Sequence, residues 1–250
     1  MDAVVLSGSD KKTEEKLGVT NKALLPIGGK PMIEYVVDAL LAAPAIDKVI
    51  IAGNATLKEY FAAWERVTVT VSGESAVDSF LSVLPYTDID ADQLLLCSND
   101  LPLLTGQIIE NFVALCQPRG LDVYYPVVSE ATNKMHYPET VRTYIKFKEG
   151  QYTGGNVFLV RPKAILGCRE KAEKLIAARK SPMKIAGIVG PTCLAKFATG
   201  KLDFPSCVKI GHKALGLTGK VVVCPYPEIS IDVDKTSDLE LVEKTLQKRQ

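Results

Sequence analysis

The chain has 250 residues, with 30 lysines and arginines against 29 aspartates and glutamates, two histidines and six cysteines. At a prior of roughly 150 residues per domain, that length allows one large domain or two small ones, enough for a core that needs no disulfide or metal staple. A formal charge of +1 excludes a generally basic nucleic-acid binder, and 47% hydrophobic with 24% charged residues describes an ordered globular protein. No two of Cys97, Cys116, Cys168, Cys193, Cys207 and Cys224 stand at C-x-x-C spacing, so a structural zinc site is not expected. Free thiols, an acid at position 2 and the lack of a long apolar run lead us to expect a cytoplasmic protein without a signal peptide or integral membrane segment.

Ala3–Leu6 is a compact apolar run, expected as a buried strand. Pro31 then opens a helix with Ile33, Val36, Val37, Leu40 and Leu41 on one face. A strand at 48–52, a helix at 55–65, a strand at 67–71, a helix at 74–84 and a strand at 93–98 follow. Thr105 is placed to cap a helix that runs to about Cys116. Apolar strands separated by helices indicate a mostly parallel sheet covered on both faces. Beyond this the pattern changes: strands at 123–128, 143–148 and 156–160 come without long helices between them, which predicts an antiparallel portion. A helix from 164 to about 180, two more between 182 and 217, a strand at 221–224 and a closing helix at 238–248 complete the chain. The expectation is one α/β domain over 1–250 with a helical insertion at about 163–218, a candidate lid, acceptor site or dimer contact.

The first strand leads into Leu6-Ser7-Gly8-Ser9 and a loop bearing Lys11, Lys12 and Lys16. Small residues after a strand let backbone N–H groups approach a phosphate closely. The nicotinamide fingerprint G-x-G-x-x-G is absent, and Gly29-Lys30 is followed by Pro31 and not by Ser or Thr, so no P-loop is present. Gly73-Glu74-Ser75-Ala76-Val77 lacks the second glycine of a hydrolase elbow.

Taken together, several segments resemble the NTP transferases. Leu6–Ser9 and Asn21-Lys22-Ala23-Leu24-Leu25-Pro26-Ile27-Gly28-Gly29-Lys30-Pro31-Met32 are similar to the opening of that family. Asp100-Leu101-Pro102-Leu103-Leu104 resembles its D-x-P-L metal motif, Thr153-Gly154-Gly155-Asn156 its mid-chain glycine turn, and Ile231-Asp232-Val233-Asp234 its closing motif. The set resembles the molybdenum-cofactor guanylyltransferase-like group, alongside sugar-phosphate and methylerythritol-phosphate cytidylyltransferases. The resemblance implies a three-layer α/β/α fold of the glycosyltransferase-A type with a mostly parallel mixed sheet. It also implies Mg²⁺-dependent transfer of NMP from an NTP to a small phosphorylated or cofactor acceptor, with pyrophosphate released.

On this resemblance Lys22 and Asp100 are catalytic. The nucleotide is held by Leu6, Ser7, Gly8, Ser9, Lys12, Lys22, Gly73 and Ser79. Asp100 and Asp234 hold the metal, with Asp232 competing for the second place. Arg142, Gly155 and Asn156 face the acceptor; Arg142, Lys146 and Lys148 share even spacing on a predicted strand. Ser72-Gly73-Glu74-Ser75 with Asp78-Ser79 is similar to the base-recognition stretch of the cytidylyltransferases, though without its arginine, and the G-P-L-x-G segment of the guanylyltransferases is missing, so the resemblance favours CTP over GTP. The family's loop arginine has no counterpart, and Lys11, Lys12 or Lys16 stand in as point charges. Asn21 replaces the usual proline before the lysine. A homodimer is compatible with the sequence. Two other functions fit the same residues: a nucleotide-sugar glycosyltransferase, which would want D-x-D where Asn99-Asp100 stands, and a nucleotide-binding regulatory protein that has lost catalysis with the arginine.

Overall fold

The computed structural model describes residues 1–8, 14–15, 17–19, 21–178 and 187–249. Ser9, Lys11, Lys12 and Lys16 of the first loop lie outside the described residues. In chain order the first half contains β1 (Ala3–Leu6), a short pair β2 (Pro26–Ile27) and β3 (Lys30–Pro31), α1 (Met32–Leu41), β4 (Val49–Gly53) and α2 (Ala55–Tyr60). Next come β5 (Val67–Val71), α3 (Ala76–Val83), β6 (Leu94–Ser98) and α4 (Gly106–Leu115). The second half contains β7 (Val123–Ser129), α5 (Glu130–His136), β8 (Ile145–Phe147), β9 (Gly150–Gly154) and β10 (Val157–Val160). It continues with α6 (Pro162–Gly167), α7 (Arg169–Ala178), α8 (Pro191–Ala198), α9 (Phe204–Leu215), β11 (Gly219–Val223) and α10 (Thr236–Gln247).

Nine strands form one sheet in the order β5-β4-β1-β6-β10-β7-β9-β8, with β11 pairing to β7. Strands β5, β4, β1 and β6 are mutually parallel. Strand β10 is antiparallel to both β6 and β7, and the β7–β9 and β9–β8 pairs are antiparallel as well. This is the mixed, mostly parallel α/β sheet that the alternating apolar runs predict. Every residue of β4 is buried, because helices cover both faces of the sheet. Val5, Ile51 and Leu95 join α1 and α4 in one core cluster. Their chain neighbours Val4, Ile50 and Leu94 point the other way and pack on Phe80 of α3. Asn54, Ser75, Thr105 and Ser129 each cap a helix by accepting a backbone N–H.

Four local expectations are corrected. The predicted helix over 164–180 is two helices that break at Cys168, whose N–H turns back to Ile165 O at 3.2 Å. Gly167, a poor helix former, ends the first of them. Strand β8 covers only Ile145–Phe147, so Arg142 precedes it on a loop and Lys148 lies in the following turn. His136, expected in a loop, closes α5. The stretch 153–156, expected as a turn, extends β9 as far as Gly154 and then kinks into β10. No helix among the described residues is long and apolar enough to cross a membrane.

Candidate active site

The parallel strands β1 and β6 end side by side, paired at Leu6 and Ser98, and their following loops meet. Ser7 N–H donates to Ala52 O at 3.0 Å, which continues the ladder one residue past β1. The buried Asn99 side chain donates to Ser7 Oγ at 3.2 Å and ties the two strand ends together. Gly8 then lies exposed, and a Cβ there would meet nothing within 4 Å.

Three segments converge just beyond these ends. Lys22 begins a single 3-10 turn over Lys22–Leu24, capped by Asn21, whose side chain accepts from Ala23 N–H at 3.1 Å. Asn21 therefore fixes the turn by capping it. Asp100 follows β6; its carboxylate accepts from Ser98 Oγ, and its carbonyl accepts from Val233 N–H at 3.1 Å. Asp232 and Asp234 lie on an irregular segment before α10, and Asp238 accepts Asp234 N–H at 3.1 Å.

One apolar cluster anchors all three segments. It contains Leu25 and Ile27 from the Lys22 side, Leu103 from the Asp100 side, and Ile231 and Val233 from between the acids. In Ile231-Asp232-Val233-Asp234 the apolar residues drop into this cluster and the acids are left above it. The segment is not a strand, yet its side chains alternate as a strand's would, so Asp232 and Asp234 share the side away from the cluster. Carboxylate oxygens of Asp100, Asp232 and Asp234 all lie within 4.8 Å of one another.

Two cations offset part of the charge of the three acids. Lys22 Nζ lies 2.6 Å from Asp100 Oδ2 and 2.6 Å from Asp234 Oδ1, with only 4% of its side chain exposed. Burial opposes its charge, but the neighbouring Asp100 and then Asp234 outweigh it and raise the ammonium pKa. Arg142 donates through Nη1 to Asp232 Oδ1 and through Nη2 to Asp232 O, the latter at 2.7 Å. Burial, reinforced by the charges of Asp100 and Asp234, pushes Asp232 up to about 6 in spite of Arg142. Asp234 moves the other way: burial opposes its charge, yet the hydrogen bond and charge of Lys22 hold its carboxyl below the ordinary range. The Arg142–Asp232 pair joins residues 90 apart, and nothing in the local sequence signals it.

Among the other expected site residues, Leu6, Ser7 and Gly8 line the β1 end, as described. Gly155 N–H donates to Pro126 O at 3.0 Å, and a Cβ there would meet Ile229 Cγ1, Ile229 O and Pro126 Cγ at 3.1 Å, so a larger residue would have to push these neighbours aside. Asn156 O accepts Ser98 N–H at 3.2 Å, which fixes the kink against the strand that carries Asp100. Gly73 packs under α3, where a Cβ would come within 2.2 Å of Asp78 Cβ, and its N–H donates to Ser79 Oγ at 3.1 Å. Lys148 is paired with Asp203 at 2.7 Å. Ser9 and Lys12 lie outside the described residues.

Comparison with known proteins agrees with this architecture. The family model for the MobA-like NTP transferase domain matches residues 3–179. The bifunctional protein GlmU of Thermodesulfovibrio yellowstonii is 28% identical over 137 residues, 50% of this chain and 28% of its own length. GlmU of Alcanivorax borkumensis is 28% identical over 123 residues, 45% of this chain and 25% of its own. The chain thus spans about a quarter of the length of these curated relatives. Among solved structures, a hypothetical transferase from Thermus thermophilus superposes with a TM-score of 0.82 at 30% identity, over 95% of this chain and 98% of that one. A CMP:2-keto-3-deoxy-manno-octonic acid synthetase complexed with CTP gives a TM-score of 0.64 at 16% identity, with complete coverage of both chains, a likeness of fold. The chain belongs to the MobA-like NTP transferase domain family, and its fold is glycosyltransferase-A-like.

Proposed function

We propose that this member of the NTP transferase family moves an NMP unit from an NTP, CTP ahead of GTP, to a small phosphorylated or cofactor acceptor in a Mg²⁺-dependent reaction. The observation that carries the proposal is the buried Lys22 ammonium held between Asp100 and Asp234, in a cluster of three carboxylates at the ends of the parallel strands. In such a reaction an acceptor phosphate oxygen bonds to the α-phosphorus, and the bond from that phosphorus to the bridging oxygen breaks to release pyrophosphate. Negative charge grows on the α-phosphate and on the leaving group, so the site must supply cations and not a nucleophile.

The donor set fits a hard divalent cation, since all three candidate groups are carboxylate oxygens. Asp100 and Asp234, the two carboxylates that converge on Lys22, are the pair proposed to hold it, while Arg142 clamps Asp232 through both its carboxylate and its carbonyl. Bound there, the cation would supply Lewis-acid charge to the phosphate oxygens. Lys22 can donate three hydrogen bonds, two of them committed to the carboxylates, and phosphate oxygens compete for these protons. The lysine's burial keeps its point charge fixed where the α-phosphate would lie. Gly8, exposed past β1, offers backbone to the triphosphate without side-chain obstruction. Gly155 and Asn156, locked by Pro126, Ile229 and Ser98, form a rigid wall on the acceptor side. The Gly73–Ser79 loop, closed by its own hydrogen bonds, favours CTP through its likeness to the cytidylyltransferases' base-recognition stretch.

Pyrophosphate release measured over four NTPs with Mg²⁺ and candidate phosphorylated acceptors tests the proposal. Metal-dependent NTP binding that disappears in Asp100→Ala supports it, and binding unchanged by that substitution refutes it.

A further inference from the structure

Away from the acidic centre, a cavity of about 300 Å³ lies between the β7–β11 face of the sheet and α9. Its walls include Val123, Tyr125 and Val127, three residues of one strand face, opposite Phe204, Val208 and Gly211 of the helix. An apolar helix stripe laid on an apolar sheet face normally closes to crystal-like density. Here no residue of α9 is buried, and a Cβ added to Gly211 would meet nothing within 4 Å. The gap has room for about ten water-sized groups.

The shape and chemistry of the gap restrict what could fill it. A helix, about 10–12 Å across with its side chains, is too thick for a space already roofed by α9. Three polar side chains on the wall are turned to partners of their own: Lys220 donates to Gln117 O, Thr218 Oγ1 donates to Asp122 Oδ2 at 2.7 Å, and His212 Nδ1 lies 3.2 Å from Leu217 O. A sugar or a heteroaromatic base would lose its water hydrogen bonds there and find no replacement. A hydrocarbon chain loses none. Tyr125 Oη, also on the wall, makes no hydrogen bond among the described residues and stands where a Cβ on Gly154 would come within 2.6 Å. Gly154 leads through Gly155 to Asn156, whose carbonyl accepts Ser98 N–H two residues before Asp100. The Tyr125 end of the cavity therefore borders the kink that walls the acidic centre.

We propose that this cavity seats a hydrocarbon tail of about ten carbons carried by the acceptor, with its phosphate head directed past Gly154–Asn156 to the acidic centre. The proposal rests on the transferase reading above and adds the acceptor's chemical class to it.

Isothermal titration of the full-length protein with decyl phosphate, butyl phosphate and inorganic phosphate tests it, with and without Mg²⁺ and a non-hydrolysable CTP analogue. Decyl phosphate is expected to bind at least tenfold more tightly than butyl phosphate, and more tightly again when the nucleotide analogue is present. Gly211→Leu fills the gap and should abolish the chain-length preference while leaving nucleotide binding intact. Val208→Phe should do the same from the preceding turn, should the first variant fold poorly. Decyl phosphate binding no better than butyl phosphate, or a preference that survives in both variants, overturns the proposal. So does a decyl preference indifferent to the bound nucleotide, which would make the cavity a seat for free lipid. Failure of the wild type to bind the nucleotide analogue would count against the activity proposed above, whereas the chain-length preference is scored with the phosphate probes alone.

Discussion

Helices α1 and α9 are both amphipathic and of similar length, yet the structure uses them in opposite ways. Six of the ten residues of α1 are buried, against α4 and the parallel strands, whereas none of the twelve residues of α9 is. The first helix is part of a filled core that holds the strand ends, and so the acidic centre, in place. The second lies over an open apolar space. An apolar stripe thus gives a helix a face to bury without deciding what meets it: side chains in one case, a cavity in the other.

The contrast can be broken by substitution. The largest effect is expected in the filled region: Phe112→Ala removes a fully buried ring from α4 and should cost about 3–5 kcal/mol in denaturant unfolding. Phe197→Ala on α8, where the ring is 47% exposed, should cost less than about 1 kcal/mol. Equal losses would erase the distinction between the two regions. Next in size, Asp100→Ala should reduce the rate of pyrophosphate release by about 10²–10³ with little change in fold, by analogy with the loss of a single charge-stabilising group. A fall of less than about tenfold would remove Asp100 from the reaction.

The acidic centre should also show its packing in its pH response. Because Asp232 is raised to about 6, the stability it contributes is fully present below the ordinary carboxylate range and is lost as pH rises through about 6. A cation held by Asp100 and Asp234 behaves in the opposite sense, because protonating the neighbouring Asp232 removes a negative charge beside it. Its apparent affinity, measured by titration calorimetry, should be roughly tenfold weaker at pH 5 than at pH 7. Asp232→Asn should flatten that dependence. The smallest expected change is Thr105→Ala, which deletes the cap on α4 and should cost about 1 kcal/mol in thermal unfolding.

How much of this the sequence displays depends on the kind of signal each part carries. Strands such as Val49–Gly53 are apolar throughout, and α1 repeats its apolar residues at helical spacing, so both are visible in any window of the chain. Helix α5 is not, because Asn133 is its one buried residue and no apolar stripe marks it. The break at Cys168 is hidden because the apolar pattern continues across it, and only Gly167 hints at an end. For the centre, Lys22, Asp100 and Asp234 come from motif likeness, and the structure brings the three side chains together. The grip of Arg142 on Asp232 is invisible locally, since it depends on two loops meeting across the fold. The unfilled space under α9 is equally hidden, because the helix and the strand opposite each show an ordinary apolar pattern.

The alternation in Ile231-Asp232-Val233-Asp234 also has a consequence for the order in which the molecule is made. The matched family region ends at residue 179, yet two of the three clustered acids and part of their apolar anchor come from this later segment. A chain growing from its amino end could complete the β5-β4-β1-β6 layer while Lys22 had Asp100 as its sole acidic partner of the pair. Only when Ile231 and Val233 dock would the second carboxylate arrive. The site is therefore armed last, by the segment that also seals the small apolar cluster beneath it.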